Sequence, residues 1–138
     1  MSNPPPPDLP RPTESELPIL RALWQRGPST VREVMGALEA ERPMGYTTVL
    51  KFMQIMHDKG LLNRDETRRS HVYAPAVPPE KTKRQLAGHL VERVFGGSVR
   101  DLVVGALGGT AVSTEELAEI RELLENYENS NSNGEDKA

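Results

Sequence analysis

The spacing of the apolar residues switches at Gly60 from a helical to a strand period, and this switch constrains the fold more than any other feature. Before Gly60, three segments place apolar residues three or four positions apart. After it, LLNRDETRRSHVYAP has a charged centre between two short apolar pairs, a pattern typical of a β-hairpin. Three short helices and a hairpin within about sixty residues are the layout of a winged helix-turn-helix.

Capping signals mark the starts of the first two helices. Thr13 with Glu16, and Thr30 with Glu33, have the spacing of capping boxes, and Gly27 is placed to end the first helix. The side chains that we expect to be buried are Leu17, Leu20, Leu23 and Trp24 in the first helix, Val31, Val34, Met35 and Leu38 in the second, and Val49, Met53 and Met56 in the third.

The third helix, predicted over residues 46–59, has the pattern of a DNA-recognition helix. Such a helix faces the core on one side and presents short polar groups and cations from its N-terminal turns on the other. Thr47 and Thr48 can hydrogen-bond base edges, while Tyr46 and Lys51 can reach phosphates. The alternative is that the two threonines only cap and start a core helix. Placement after a tight turn and before a basic hairpin favours DNA.

The predicted hairpin carries three arginines, Arg64, Arg68 and Arg69. Because Asp65 and Glu66 leave a net charge of only +1, a solvated charged loop is the alternative. Arg68 and Arg69 are adjacent at the predicted tip, where a wing meets the sugar–phosphate backbone. We therefore favour phosphate contacts, which add affinity and salt dependence rather than sequence specificity.

Phe52 and Ile55 lie away from the buried row of the third helix, where a groove-facing helix should be polar. We expect both to be covered, because the C-terminal half of the helix would pack against the hairpin or the first helix. Only the N-terminal end of the helix would then enter the groove of DNA.

Beyond Pro75 the helical period resumes in three amphipathic segments. They could pack back on their own domain, but pairing with the same helices of a second chain suits apolar rows so far apart in sequence. The predicted dimer contacts are Leu86, Leu90, Val94, Leu102, Leu117, Ile120 and Leu124. The predicted fold is thus mainly α with a small β-hairpin, a winged helix-turn-helix domain followed by a C-terminal helical dimerisation region.

Composition sets the expected boundaries. Residues 1–12 hold six of the twelve prolines and are predicted to be a disordered arm. We assign residues 13–77 to the winged-helix domain, 78–127 to the dimerisation region and 128–138 to a disordered polar tail. The net charge of −3 conceals an asymmetry: residues 113–138 have eight acidic and two basic residues, a net −6, so residues 1–112 carry +3.

Several classes of function are excluded or disfavoured. The chain has no cysteine, which excludes disulfides, thiol catalysis and cysteine-based metal sensing. His57, His71 and His89 are too scattered to predict a metal site, and no nucleophile–base arrangement indicates an enzyme. We expect neither a metal nor another cofactor. Without an apolar leader or a spanning stretch, the protein is expected in the cytoplasm, on the nucleoid when bound to DNA.

The segments YTTVLKFMQIMHDKGLL, HVYAP, LVERVFGGSVRDLV and STEELAEIRELL together resemble the BlaI/MecI/CopY family of bacterial penicillinase-type transcriptional repressors. The resemblance runs from Thr13 to Glu125. It implies a homodimeric repressor whose winged helices bind an inverted-repeat operator and whose C-terminal helices form the dimer. The family's recognition-helix start falls on Tyr46, Thr47, Thr48 and Lys51, and its wing on Arg68 and Arg69.

Two departures from the family pattern concern the inducing signal. Members controlled by a sensor-protease are cut at an Asn-Phe pair, and Gly105-Ala106 stands at that place here. Copper-responsive members use a C-terminal cysteine cluster, which this chain lacks. The sequence therefore predicts a dimeric transcriptional repressor that binds double-stranded DNA. Its upstream sensor or protease is unknown. The alternative from another class is a winged-helix protein-interaction module without sequence-specific DNA binding.

Overall fold

The computed structural model describes residues 9–135, which form six helices and one antiparallel hairpin. In chain order the elements are α1 (Leu17–Arg26), α2 (Val31–Leu38), α3 (Tyr46–Asp58), β1 (Leu62–Asp65), β2 (Val72–Pro75), α4 (Pro79–Arg93), α5 (Val99–Gly109) and α6 (Thr114–Glu135). The chain divides into two compact units at residue 90. The order of three helices, a hairpin and further helices confirms the predicted fold class.

Both predicted capping boxes of the first unit form. The Thr13 N–H donates to Glu16 Oε1 at 2.9 Å, and the Glu16 N–H donates to Thr13 Oγ1 at 3.3 Å. At α2, the Thr30 N–H donates to Glu33 Oε1 at 2.9 Å, and the Glu33 N–H donates to Thr30 Oγ1 at 3.2 Å. The reciprocal bonds satisfy N–H groups that helix starts would leave unpaired. At α2 the box sets the start of the helix, whereas at α1 it closes the turn of residues 13–16 that leads into the helix.

The core of the first unit lies between α1, α2 and α3, under the hairpin. The row of Val49, Met53 and Met56 is fully buried, as predicted. In α1 the prediction was partly wrong: the buried side chains are Ile19, Leu20, Ala22 and Leu23, while Leu17 and Trp24 are half-buried. Leu17 opens the helix, and the bulky indole lies at the rim of the core, where the Lys83 ammonium is 5.2 Å from its centre.

The hairpin is fixed to this core at its second strand. Leu62 pairs with Pro75 and Asp65 with Val72. Tyr73 is buried, and its backbone exchanges two hydrogen bonds with Ser29, which precedes α2, at 2.9 and 2.8 Å. Because these bonds join the α1–α2 connection to β2, the hairpin keeps a set position beside α2 and α3.

Part of the predicted N-terminal arm packs on α4. Residues 1–8 of that arm lie outside the described residues. The Gln85 amide donates to the Leu9 carbonyl oxygen at 2.6 Å, and an Arg11 guanidinium nitrogen is 3.0 Å from His89 Nδ1. Pro12 is buried. Residues 9–12 therefore contact α4, whose polar side chains lie too far away in sequence for the composition of the arm to predict these contacts.

The second unit, described from residue 91 to residue 135, contains α5 and α6. Gly96 and Gly97 adopt positive φ values of 56° and 89° after α4, where residues with a side chain are strained. The Ser113 hydroxyl accepts from the Glu116 N–H at 3.0 Å. Between residues 91 and 132 no side chain is buried.

Helix α6 continues to Glu135, beyond residue 128, where the sequence predicted a disordered polar tail. The asparagines and serines of that segment have low helix propensity. Extending an existing helix needs no new nucleus, so a long preceding helix can carry them. Residues 136–138 of the predicted tail lie outside the described residues. Within the described part, no helix has both the length and the apolar composition needed to cross a membrane.

Candidate nucleic-acid interface

Helix α3 has one buried row and one exposed row of equal spacing. The buried row is Val49, Met53 and Met56. Two residues earlier, the same spacing of i, i+4 and i+7 gives Thr47, Lys51 and Gln54, all exposed. Because each residue advances about 100° around a helix, an offset of two places these rows on nearly opposite sides. The core contacts of α3 therefore direct a polar row at solvent.

The first turn of α3 is open. Its N-cap is Gly45, which has no side chain to cap the helix, in contrast to Thr30 at α2. Thr47 and Thr48 follow within the first turn, so neither is the N-cap residue, which weakens the alternative that they only cap this helix. Uncapped N–H groups and the positive end of the helix dipole favour an anion at this end.

All four predicted contact residues of α3 reach the surface. Thr47, Thr48 and Lys51 are exposed, and Tyr46 retains 41% of its accessible surface. Tyr46 begins the helix, and its ring lies beside Arg32 of α2. The predicted set therefore surrounds the N-terminal end of α3 on two sides.

The wing, residues 66–71 between β1 and β2, presents Arg68 and Arg69 to solvent. Its first turn is held by Asp65, whose Oδ1 accepts from the Thr67 hydroxyl at 2.7 Å and from the Thr67 N–H at 2.9 Å. These bonds, with the Thr67 hydroxyl first, lower the pKa of Asp65. An aspartate that stays ionised keeps the loop closed beneath the two arginines.

Arg64 differs from the two arginines at the tip. It is half-buried, and its Nε and Nη2 donate to Glu66 Oε2 at 2.9 and 2.8 Å. A side-chain hydrogen bond with Tyr73, and then the pair with Glu66, raise the pKa of Arg64. Because its charge is already matched inside the hairpin, Arg64 has less to offer a phosphate than Arg68 or Arg69.

A groove of about 350 Å³ separates α3 from the wing. Tyr46, Leu50 and Gln54 line it from α3, and Arg69 and His71 from the hairpin. The structure thus brings predicted residues of the helix and of the wing to one surface feature.

Two residues of this surface, Arg32 and Gln54, were absent from the predicted site. The Arg32 guanidinium carbon lies 4.9 Å from the centre of the Tyr46 ring. Gln54 could have been found by continuing the spacing of Thr47 and Lys51 by three residues. Arg32 could not, since its position beside Tyr46 depends on how α2 packs against α3.

Phe52 and Ile55 separate in the structure. Phe52 is half-buried and packs against the core, as predicted. For Ile55 the prediction was wrong, because its side chain is 42% exposed. Ile55 follows Lys51 by four residues, so it extends the exposed face of α3 with an apolar group. An apolar side chain there can contact a thymine methyl group.

The predicted dimer contacts lie on the last three helices and the turn after α4. Leu86, Leu102 and Ile120 are half-buried, and Leu90, Val94, Leu117 and Leu124 are exposed. Further exposed apolar side chains of this unit lie outside the predicted set of dimer contacts: Val99, Val103, Val104, Leu107, Leu123 and Tyr127. Gly105 of the predicted Gly105-Ala106 pair lies within α5, where a Cβ would be 3.5 Å from the Phe95 ring.

Comparison with known proteins identifies relatives along nearly the whole chain. The family model described as "Penicillinase repressor" matches residues 12–126. The penicillinase repressor of Bacillus licheniformis is 22% identical over 121 residues, which cover 88% of this chain and 94% of that protein. The transcriptional regulator BlaI of Mycobacterium tuberculosis is 41% identical over 61 residues, 44% of each chain.

A similar solved structure is the solution structure of the Bacillus licheniformis BlaI monomeric form in complex with the blaP half-operator. It superposes with a TM-score of 0.46 and 22% sequence identity, covering 53% of this chain and 89% of the other.

Proposed function

The chain belongs to the penicillinase repressor family and is a DNA-binding transcriptional repressor, and we propose that it binds its operator through the N-terminal turns of α3 and the wing. The observation that carries this proposal is the groove shared by Tyr46 of α3 and Arg69 of the wing. A recognition helix and a wing must reach the same duplex together, and these two elements border one surface.

The proposed roles follow from exposure and chemistry. Thr47 and Thr48 are exposed in the first turn of α3 and would contact base edges in the major groove. Lys51, Arg68 and Arg69 are exposed cations that would contact phosphates, as would the hydroxyl of Tyr46. Arg64 would contribute less than Arg68 or Arg69, because Glu66 already neutralises its charge.

We propose that the second unit makes the protein a homodimer. Val94, Leu123 and Tyr127 are each about two thirds exposed, at 64%, 66% and 66%. Between residues 91 and 132 no side chain is buried, so this apolar surface stays open to solvent in a single chain. An exposed apolar surface of this kind favours a protein partner. A second copy with a two-fold axis would place two winged helices on an inverted-repeat operator.

The family consists of repressors, and no catalytic activity is proposed. A repressor of bacterial genes would act in the cytoplasm, on the nucleoid when bound. The inducing signal would differ from the family's cysteine-based sensing, since the chain has no cysteine. Cleavage between Gly105 and Ala106 would require a protease with a preference other than Asn-Phe.

A mobility-shift titration tests this proposal against the protein-interaction alternative. Fragments of the protein's own genome are titrated at several salt concentrations, with an excess of mixed-sequence competitor DNA. A sequence-specific repressor retains some fragments against the competitor, and its affinity falls steeply as salt rises. Absent binding, or binding that ignores both sequence and salt, would contradict the proposal and favour an interaction module.

A further inference from the structure

Arg32, in the first turn of α2, lies against the start of α3. Its guanidinium carbon is 4.9 Å from the centre of the Tyr46 ring, within the range of a cation–π interaction. Such an interaction limits the positions that a long, exposed arginine can adopt. The ring binds one face of the guanidinium, and the N–H donors around its edge stay available to an oxygen acceptor.

The groove beside Tyr46 places other donors close to Arg32. Arg32 and Tyr46 line it together with Arg69 and His71 of the wing. Helix α2, helix α3 and the wing therefore each contribute a donor or a cation to one feature of about 350 Å³. No single element could build such a site, and this explains why periodicity along the sequence does not reveal it.

Among the described residues, no carboxylate lines this groove. Of the carboxylates close in sequence to its lining residues, Glu66 pairs with Arg64 at 2.8 Å, Glu33 pairs with Arg26 at 3.5 Å, and Asp65 accepts two hydrogen bonds from Thr67. Across residues 9–132, neither Arg32 nor Arg69 forms an ion pair. The groove therefore carries positive charge that the described part of the protein does not neutralise.

We propose that Arg32, positioned by the Tyr46 ring, and Arg69 hold one phosphate of the DNA backbone between α2 and the wing. This inference rests on the proposed DNA-binding function and assigns Arg32 to that same site. The guanidinium edge of Arg32 donates to the phosphate oxygens from one side and Arg69 from the other. The contact fixes how far the duplex approaches α3 and carries no sequence information of its own.

The test uses a mixed-sequence duplex of about three helical turns, because a phosphate contact does not need the operator. Affinity is measured against salt concentration for the full chain and for Arg32→Gln. Loss of one phosphate contact lowers the steepness of the log affinity against log salt by about 0.9 for each copy of Arg32 on the DNA, and weakens binding by about fivefold at low salt.

Arg42→Gln is the matched control. Arg42 is exposed, lies just after α2 and does not line the groove. The substitution removes the same net charge as Arg32→Gln but leaves the groove unchanged. The salt dependence of Arg42→Gln should equal that of the unaltered chain. Tyr46→Leu should lower the steepness as Arg32→Gln does. Tyr46→Phe loses the phosphate contact of the hydroxyl and should bind more weakly, but it keeps the ring and should keep the full steepness, because an uncharged hydroxyl displaces no counterion. Thermal unfolding of each variant verifies that it is folded.

The outcomes separate the two proposals. If the unaltered chain binds DNA and Arg32→Gln keeps the full salt dependence, the phosphate contact is wrong while the repressor function stands. Equal losses in Arg32→Gln and Arg42→Gln would likewise overturn the contact, because net charge alone would explain them. If the unaltered chain does not bind DNA, both the proposed function and the phosphate contact are wrong.

Discussion

The two units of this protein use the apolar faces of their helices in opposite ways. In residues 9–90, α3 buries Val49, Met53 and Met56 completely, and Tyr73 of the hairpin is buried in the same core. In residues 91–132 no side chain is buried, although α5 and α6 carry regular apolar rows. The first unit closes its own core, whereas the second leaves its apolar surface for another molecule.

This difference separates two energetic requirements. The proposed DNA-contacting surface depends on a core that a single chain completes, so its geometry should not depend on protein concentration. In the proposed dimer the second unit depends on a partner, so its stability should rise as the dimer forms.

Leu23→Ala should lower the free energy of unfolding of the first unit by about 3.5 kcal/mol, since it leaves a cavity in a filled core. Leu124→Ala in the second unit should change the free energy of unfolding of the first unit by less than about 0.5 kcal/mol. The fluorescence of Trp24, the single tryptophan, follows the first unit during urea unfolding. Similar losses for both variants would show that the two units share one core.

Ile120→Asp and Leu117→Asp should weaken the dimer about a hundredfold, or about 2.7 kcal/mol, because each would place a charge in an apolar interface. Glu122→Gln, an exposed change on the same helix, is the control and should leave the dimer intact. Sedimentation gives the mass of each variant. A dimer that survives both aspartate substitutions would show that α6 packs elsewhere.

Glu16→Gln should destabilise the first unit by about 2 kcal/mol. The Glu16 carboxylate is buried, accepts from the Thr13 N–H at 2.9 Å and pairs with Lys59 Nζ at 2.6 Å, which joins α1 to the end of α3. Glu41→Gln breaks an exposed pair with Arg21 of similar length, 2.9 Å, and should cost less than about 0.5 kcal/mol. Urea unfolding gives the free energy of unfolding of both variants. Equal losses would show that the buried pair of Glu16 and Lys59 stabilises the protein no more than the exposed pair does.

The smallest effect is a pH dependence at α2. The hydrogen bond from the Thr30 backbone lowers the pKa of Glu33 below its ordinary value of 4.5. A depressed folded pKa contributes stability above pH 4.5, and this contribution is lost as pH falls through the folded value. Glu33→Gln should therefore be less stable than the unaltered chain at neutral pH, and the difference should shrink under acid. A difference independent of pH would contradict this.

Local features of the structure were predictable and contacts between elements were not. Capping boxes at Thr13 and Thr30, and the apolar row of α3, are written within a few residues, and the structure confirms them. The exposure of Ile55, the neutralisation of Arg64 by Glu66 and the position of Arg32 beside Tyr46 depend on packing between elements. The spacing of residue types along the sequence carries no information about such packing. The base and phosphate contacts themselves stay predictions.

Base recognition by α3 within a dimer is tested by mapping the DNA bound across the genome, for the unaltered chain and for Thr47→Ala with Thr48→Ala. We expect the unaltered chain to select an inverted repeat whose half-sites are centred about 10 base pairs or a multiple apart. The double variant should lose this preference while still binding DNA. An unchanged motif in the double variant, or bound sites without an inverted repeat, would contradict it.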